Sequence, residues 1–303
     1  MRTITILMIL LVHVVFGQTV QPLVYNKPNN NAIEVAKNYT TLNKPLKIIN
    51  GMAFVEAKLD NTTGNYLFDT GAPLLILNKK VNSGHFIPAA SVSGEMRVAS
   101  TRAKHFSWAG KTFPDIEAIA IDLSHLEQSA NIPLAGIIGY DIIKNYELFI
   151  DYQEGQIAVL SPKNNPLAQT AKPRQIISFE QKQHLPILNV IIDGKVLRFG
   201  IDSGAAVNLI DRQYRQALSA GSFTLGDAEE LRGLDQRISR VETGVIHRTT
   251  IGDLSINDMK FLFVDLTQLE TLSDLQLDGL LGYPFLRQVK CSINFPRREL
   301  IIW

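Results

Sequence analysis

Two short strings in this chain could do chemistry together. Tyr66 to Asn78 aligns without a gap against Phe199 to Asp211, and each reads as an apolar strand, then Asp-[Ser/Thr]-Gly-Ala, then a second apolar run. The acids are Asp69, in Asp69-Thr70-Gly71-Ala72, and Asp202, in Asp202-Ser203-Gly204-Ala205. Burial at a strand end raises a carboxyl's pKa unless donors satisfy the anion. The Gly at 71 or 204 lets its backbone N–H approach that carboxylate closely, and the hydroxyl of Thr70 or Ser203 can bond back to the opposing copy. If the two copies pack around an approximate two-fold axis, Asp69 meets Asp202, and like charges about 3 Å apart cannot both ionise. The pair then shares one proton. Its ionised member can take a proton from water while its protonated member polarises a carbonyl, which is general acid and base catalysis of amide hydrolysis.

A second landmark follows each acid in the same order. Ala135-Gly136-Ile137-Ile138-Gly139-Tyr140 corresponds to Asp278-Gly279-Leu280-Leu281-Gly282-Tyr283. Average residue usage gives about 0.1 Asp-[Ser/Thr]-Gly strings per chain of this size. An ordinary strand-to-turn Asp-Gly signal explains either copy alone, but not two copies that each carry the second landmark. Within that landmark Asp141 stands against Pro284. Asp suits a helix N-terminus and Pro its first turn, so both positions are expected to begin a short helix and Asp141 is not a site acid.

These residues resemble the aspartic proteases of the pepsin and retropepsin superfamily, and more closely the bacterial two-lobed aspartyl protease proteins. The resemblance rests on Asp69-Thr70-Gly71-Ala72, Asp202-Ser203-Gly204-Ala205, Gly136-Ile137-Ile138-Gly139 and Gly279-Leu280-Leu281-Gly282, and it covers roughly residues 48 to 160 and 180 to 303. It implies two β-barrel-like lobes around a cleft, with Asp69 and Asp202 as the catalytic dyad. Thr70 and Ser203 would be the hydroxyls crossing between lobes, and Gly71 and Gly204 the dyad's backbone donors. It also implies a flap closing over a peptide held as an extended strand. The flaps are expected near Ser93 to Val98 and Arg232 to Arg237, where neither an aromatic pepsin-like tip nor a Gly-rich retropepsin tip occurs, so a plain surface loop is the alternative there. Ala72 and Ala205 lack the hydroxyl that pepsin-like enzymes place after the motif Gly, which should raise the dyad's lower pKa.

The elements that must carry these residues are short β-rich runs ended by Gly, Asn or Asp: Ile48 to Leu59, Tyr66 to Asp69, Ile116 to Ile121, Leu148 to Tyr152, Ile187 to Ile192, Val196 to Ile201 and Phe261 to Val264. Helical periodicity is scarce, with Arg212 to Ser219 as the best candidate. The fold class is all-β: two related lobes with a few short helices. Hairpins are expected at Glu154-Gly155 and at Pro296-Arg297-Arg298.

The chain divides into a signal peptide (1–17), a polar leader (18–47), an N-terminal lobe (48–160), a Pro-rich linker (161–179) and a C-terminal lobe (180–303). Arg2 followed by an apolar run from Ile4 to Phe16 has the pattern of a secretory signal, too short to span a bilayer. The expectation is export to the periplasm or beyond the cell, with no integral membrane segment once the signal is removed. Lys and Arg number 30 against 29 Asp and Glu, and 46% of the 303 residues are apolar. That balance leaves no charge excess for nucleic acid. The single Cys291 excludes an intrachain disulfide and fits a packing residue. Six dispersed His residues, at 13, 85, 105, 125, 184 and 247, are expected to be exposed or locally bonded, so no metal and no cofactor is implied. Asp115, Asp122, Asp151 and Asp265 lack the following Ser/Thr-Gly and read as strand-end or turn residues. The function expected is a monomeric aspartic endopeptidase acting on extended peptide or unfolded protein. The rival is a non-catalytic exported peptide-binding protein that retains the fold.

Overall fold

A computed structural model of the chain describes residues 3–5, 9–10, 43–80, 86–91, 94–163, 165–234, 237–267, 269 and 275–303. The fold is all-β and two-lobed, with short helices. One nine-stranded sheet runs in the order Ile9–Leu10, Phe86–Ser91, Gly94–Trp108, Lys111–Ile121, Leu75–Asn78, Gly136–Ile138, Thr62–Phe68, Met52–Leu59, Lys47–Ile49. The other repeats that order with Thr3–Thr5, Phe223–Arg232, Ile238–Ile251, Leu254–Val264, Asn208–Asp211, Gly279–Leu281, Lys195–Ile201, Leu185–Ile192, Glu180–Lys182. Each sheet curls until its long hairpin meets the other side, through Leu59 against Phe106 in the first and Ile191 against Thr250 in the second. A sheet closed in this way buries its inner face around a core of its own.

The second landmark is the wedge that fixes the acid. Gly136–Ile138 lies parallel to Tyr66–Phe68 and antiparallel to Ile76–Leu77, so it fills the gap between the two strands that flank the Asp turn. Gly279–Leu281 does the same between Phe199–Ile201 and Leu209–Ile210. A Cβ at Gly136 or Gly279 would press into the backbone carbonyl of Ile76 or Leu209, which is why the position carries no side chain. The wedge also holds the acid's own backbone: Asp69 N–H donates to Ile138 O at 3.1 Å and Asp202 N–H to Leu281 O at 3.0 Å.

A third sheet of six strands joins the halves. Its order is Gln175–Ser178, Glu299–Ile302, Cys291–Asn294, Glu147–Asp151, Gln156–Leu160, Asn43–Pro45, and its central pairing sets Glu147–Ile150 antiparallel to Asn294–Cys291. The hairpins expected at Glu154-Gly155 and Pro296 to Arg298 are its four inner strands. Cys291 is buried in this sheet, and burial pushes its thiol up to about 12, so it stays a neutral packing group.

Several expected boundaries move. The run Ile48 to Leu59 is two strands, because Asn50 and Gly51 both take positive φ and turn the chain between Ile49 and Met52. Residues 43–45 and 47, expected in the leader, already lie in strands that pair with Gln156–Ala158 and Phe54. The linker carries a helix, Leu167–Thr170, and a strand, Gln175–Ser178, which pairs with Ile302–Glu299. Arg212 to Ser219 is helical only over Tyr214–Ala217, since Asp211 Oδ1 ties down the Gln213 N–H and Leu218 is already extended. Ser124–Ala130 is a helix the periodicity did not mark. The short helices at Asp141 and Pro284 are Tyr140–Ile143 and Tyr283–Leu286, with Asp141 paired to Lys144 at 2.6 Å. Of the expected signal, Thr3–Thr5 and Ile9–Leu10 form edge strands, and the rest lies outside the described residues, as do residues 18–42. Among the described residues no helix is long and apolar enough to cross a membrane.

Candidate active site

The two Asp turns face each other at the seam between the nine-stranded sheets. Asp69 and Asp202 are both fully buried. Each carboxyl packs against the glycine of the other acid's turn. Gly71 N–H donates to Asp69 Oδ1 at 2.8 Å, and Ala72 N–H donates to the same oxygen at 3.1 Å. Gly204 N–H donates to Asp202 Oδ1 at 2.8 Å. Oδ2 of each acid is buried without a protein partner. The glycines are required by the approach of the opposite acid: a Cβ on Gly71 would lie 2.7 Å from Asp202 Cγ, and one on Gly204 would overlap the Asp69 carboxyl.

Electrostatics follow from that crowding. Burial first, and then the Asp202 charge, push Asp69 well above the usual carboxylate range. Burial pushes Asp202 up to about 6, against the opposing pull of hydrogen bonds from Asp69, Gly204, Ala205 and Gly71. Together the two carboxyls titrate as one unit that retains a proton above the ordinary carboxylate range. Their free Oδ2 atoms are the polar groups left to meet a water or a substrate carbonyl.

Beneath the acids, Thr70 and Ser203 lock the turns together, 133 positions apart in sequence. Thr70 N–H donates to Ser203 Oγ at 2.9 Å, and Ser203 N–H donates to Thr70 Oγ1 at 3.0 Å. Each hydroxyl then donates onward, Thr70 to Ile201 O at 3.2 Å and Ser203 to Phe68 O at 3.1 Å. Every hydroxyl therefore accepts one bond and donates one, and the rings formed close across the seam. Residues 188–285 match the family model described as Aspartyl protease. The aspartyl protease match runs from inside Leu185–Ile192 to the Tyr283–Leu286 helix, so it takes in Asp202-Ser203-Gly204 and Gly279 to Gly282. Asp69 lies outside it and is brought to the same geometry by the internal repeat. No curated protein matches the chain.

Two long hairpins stand at the expected flap positions. Phe86–Ser91 pairs with the start of Gly94–Trp108, and residues 92–93 lie outside the described residues. Phe223–Arg232 pairs with Ile238–Ile251, and its tip is closed by Gly233 N–H donating to Arg237 O at 3.2 Å. The second tip is not a plain surface loop. Leu234 is 1% exposed and packs in the cluster of Met52, Phe54, Ala72 and Ile76, which belongs to the first half, together with Ala206. An apolar residue at a hairpin tip signals such a docking; it was legible as Leu234 between Gly233 and Asp235.

The remaining acids take structural parts. Asp115 pairs with Arg102 at 2.9 Å, Asp122 accepts from Ser124, Asp265 pairs with Arg212 at 2.8 Å, and buried Asp151 pairs with Lys290 at 2.7 Å. Among the described residues no group of three His, Cys, Asp or Glu could hold a metal ion. His184 departs from the expectation of an exposed or locally bonded ring. It is 3% exposed, and its Nε2 bonds to the Gly71 carbonyl at 2.9 Å, from one half to the acid turn of the other. The repeat held the signal that singles it out: at the 133-residue offset its counterpart is Gly51, so this ring is present on one side of the two-fold only. His13 and His85 lie outside the described residues.

Proposed function

We propose that this protein is an aspartic endopeptidase in which Asp69 and Asp202 activate a water, with Gly71 and Gly204 supplying backbone donors and Thr70 and Ser203 holding the turns in register. The observation that carries the reading is the buried acid pair with its two Oδ2 atoms free, built by both halves of the chain. A water between those oxygens gives a proton to the ionised carboxyl as its oxygen bonds to the scissile carbonyl carbon. The protonated carboxyl hydrogen-bonds the carbonyl oxygen as charge gathers there. Collapse of the tetrahedral adduct breaks the C–N bond, a dyad proton passes to the leaving nitrogen, and the pair ends with one proton as it began. The substrate proposed is an extended peptide or unfolded protein, which would pair with a sheet edge as an added strand. Export through the segment 1–17, and action as a monomer on a substrate outside the cytoplasm, belong to the same proposal.

With Asp202 pushed up to about 6 by burial and Asp69 also pushed well above the usual carboxylate range by burial and the Asp202 charge, the pair holds its shared proton above the pepsin range, so activity should peak under mildly acidic to neutral conditions. Purified protein incubated with denatured casein between pH 3 and 8, with and without pepstatin, tests the proposal. Cleavage that pepstatin blocks and that peaks above the pepsin range is the expected result. No cleavage at any pH, with casein peptides still bound, would favour the non-catalytic peptide-binding protein.

A further inference from the structure

The pseudo-two-fold symmetry of the acid turns is broken at the buried His184, and this break reaches the dyad through a single peptide unit. His184 occupies the turn between Glu180–Lys182 and Leu185–Ile192 in the second half, and its ring enters the first half. A carbonyl oxygen can only accept, so the 2.9 Å contact with Gly71 O assigns the proton to Nε2 and leaves Nδ1 bare. The Gly71 carbonyl belongs to the same peptide unit as the Ala72 N–H, and that N–H donates to Asp69 Oδ1 at 3.1 Å. A donor on the carbonyl polarises the amide and makes its N–H a stronger donor, since linked hydrogen bonds reinforce one another. At the equivalent place in the first half stands Gly51, with φ +80 and the Ala206 carbonyl and Tyr283 ring beside it, and glycine has no side chain to offer Gly204.

We propose that His184 is a positioning residue for the dyad: its Nε2–H, acting through the Gly71–Ala72 peptide, steadies the ionised form of the Asp69/Asp202 pair and sets the pH at which the pair gives up its first proton. The proposal deepens the aspartic endopeptidase reading and rests on it for the kinetic part of its test. The ring is kept neutral by its surroundings. Burial lowers its pKa to about 4, opposed only by the Gly71 bond. The group facing it from the Tyr140–Ile143 helix is the Tyr140 ring, at 6.5 Å between centroids, and the charges around that phenol are Lys144, Asp141 and Arg298. On the far side of the Gly71–Ala72 peptide lie Asp69 and Asp202 themselves, and the buried Tyr152 phenol, kept neutral by burial, lies near both acids. A neutral Nε2–H is thus a fixed dipole pointing at the acid turn over the whole range in which the dyad titrates.

His184→Gln keeps an N–H at the reach of Nε2, and His184→Met fills the space without a donor. In pH profiles of kcat/KM on a casein peptide, His184→Met should move the acid limb upward by about half a pH unit and lower kcat several-fold with KM little changed, while His184→Gln restores the limb. A second measurement does not need turnover. Asp69→Asn is made in the parent and in His184→Met, and thermal unfolding is followed at pH 7.5. If the ring steadies the ionised pair, Asp69→Asn should raise the melting temperature more in the His184→Met background than in the parent. Should His184→Met fail to fold, His184→Asn, whose N–H falls at the Nδ1 position, replaces it and should behave as a non-donor beside the Gln variant. Equal acid limbs in the Gln and non-donor variants, or an equal Asp69→Asn gain in both backgrounds, would overturn the proposal. An inactive protein that still shows the unequal gain would sink the endopeptidase reading and leave the role of His184 standing.

Discussion

At the residue scale, the acids are held in a state that costs stability. Asp202 is raised from 3.8 to about 6, so the folded chain binds its proton more tightly than the unfolded chain does. A raised carboxyl contributes stability in full below pH 3.8, and that contribution is lost as pH rises through 6. Asp202→Asn should therefore abolish casein cleavage while stabilising the protein at pH 7.5 by about 3 kcal/mol, the equivalent of about two pKa units. At pH 3.5 the gain should shrink to about a few tenths of a kcal/mol, because the folded pair is then protonated and the unfolded carboxyl mostly so. Urea unfolding at the two pH values measures it; a variant less stable than the parent at pH 7.5 would count against a crowded dyad. The glycines make a sharper case. Gly204→Ala puts a methyl against the Asp69 carboxyl. Overpacking of this kind costs about 1–3 kcal/mol. Cleavage should be lost with it, as the carboxyls must part.

At the element scale, the crossed hydroxyls carry the register between the two halves. Ser203→Ala leaves the buried Thr70 N–H without its 2.9 Å acceptor, and Thr70→Val leaves the Ser203 N–H without its 3.0 Å acceptor. An orphaned buried donor costs about 1–3 kcal/mol. Because the two bonds are related by the pseudo-two-fold, the variants should be destabilised by similar amounts, read as shifts in the unfolding midpoint. A large cost for one and none for the other would mean that the turns are not equivalent. These elements were legible in the sequence because their constraints are local: an apolar strand ending in Asp-[Ser/Thr]-Gly, and a Gly-x-x-Gly wedge with no room for a side chain. The strand Gln175–Ser178 was hidden because the prolines before it suggest a linker, and only its long-range pairing with Glu299–Ile302 makes it a strand. The Tyr214–Ala217 helix is shorter than the run Arg212 to Ser219 because Asp211 and extended Leu218 trim what propensity alone would extend. His184 could not be weighed from its neighbours, since its partner lies 113 positions away.

At the scale of the whole molecule, buried ionisable groups in different places pull the stability curve in opposite directions. The dyad has raised pKa values, and so has Glu147, where burial dominates over hydrogen bonds from Ser292, Asn294 and Asn165 in the sheet that joins the halves. These groups lose their contribution as pH rises. His184 has the opposite sign: its folded pKa of about 4 lies below the ordinary 6.5, so its contribution is present above pH 6.5 and is lost as pH falls through 4. Between pH 4 and 6.5 the imidazole therefore offsets about one proton's worth of the acids' slope, or about 1.4 kcal/mol per pH unit. His184→Gln should make stability fall more steeply with rising pH across that window, and Asp69→Asn should flatten or reverse the fall. Urea midpoints taken at half-unit steps from pH 4 to 8 would separate the two slopes. Parallel curves for parent, His184→Gln and Asp69→Asn would mean that neither group is held away from its unfolded pKa, and the seam between the halves would then be open to water rather than dry.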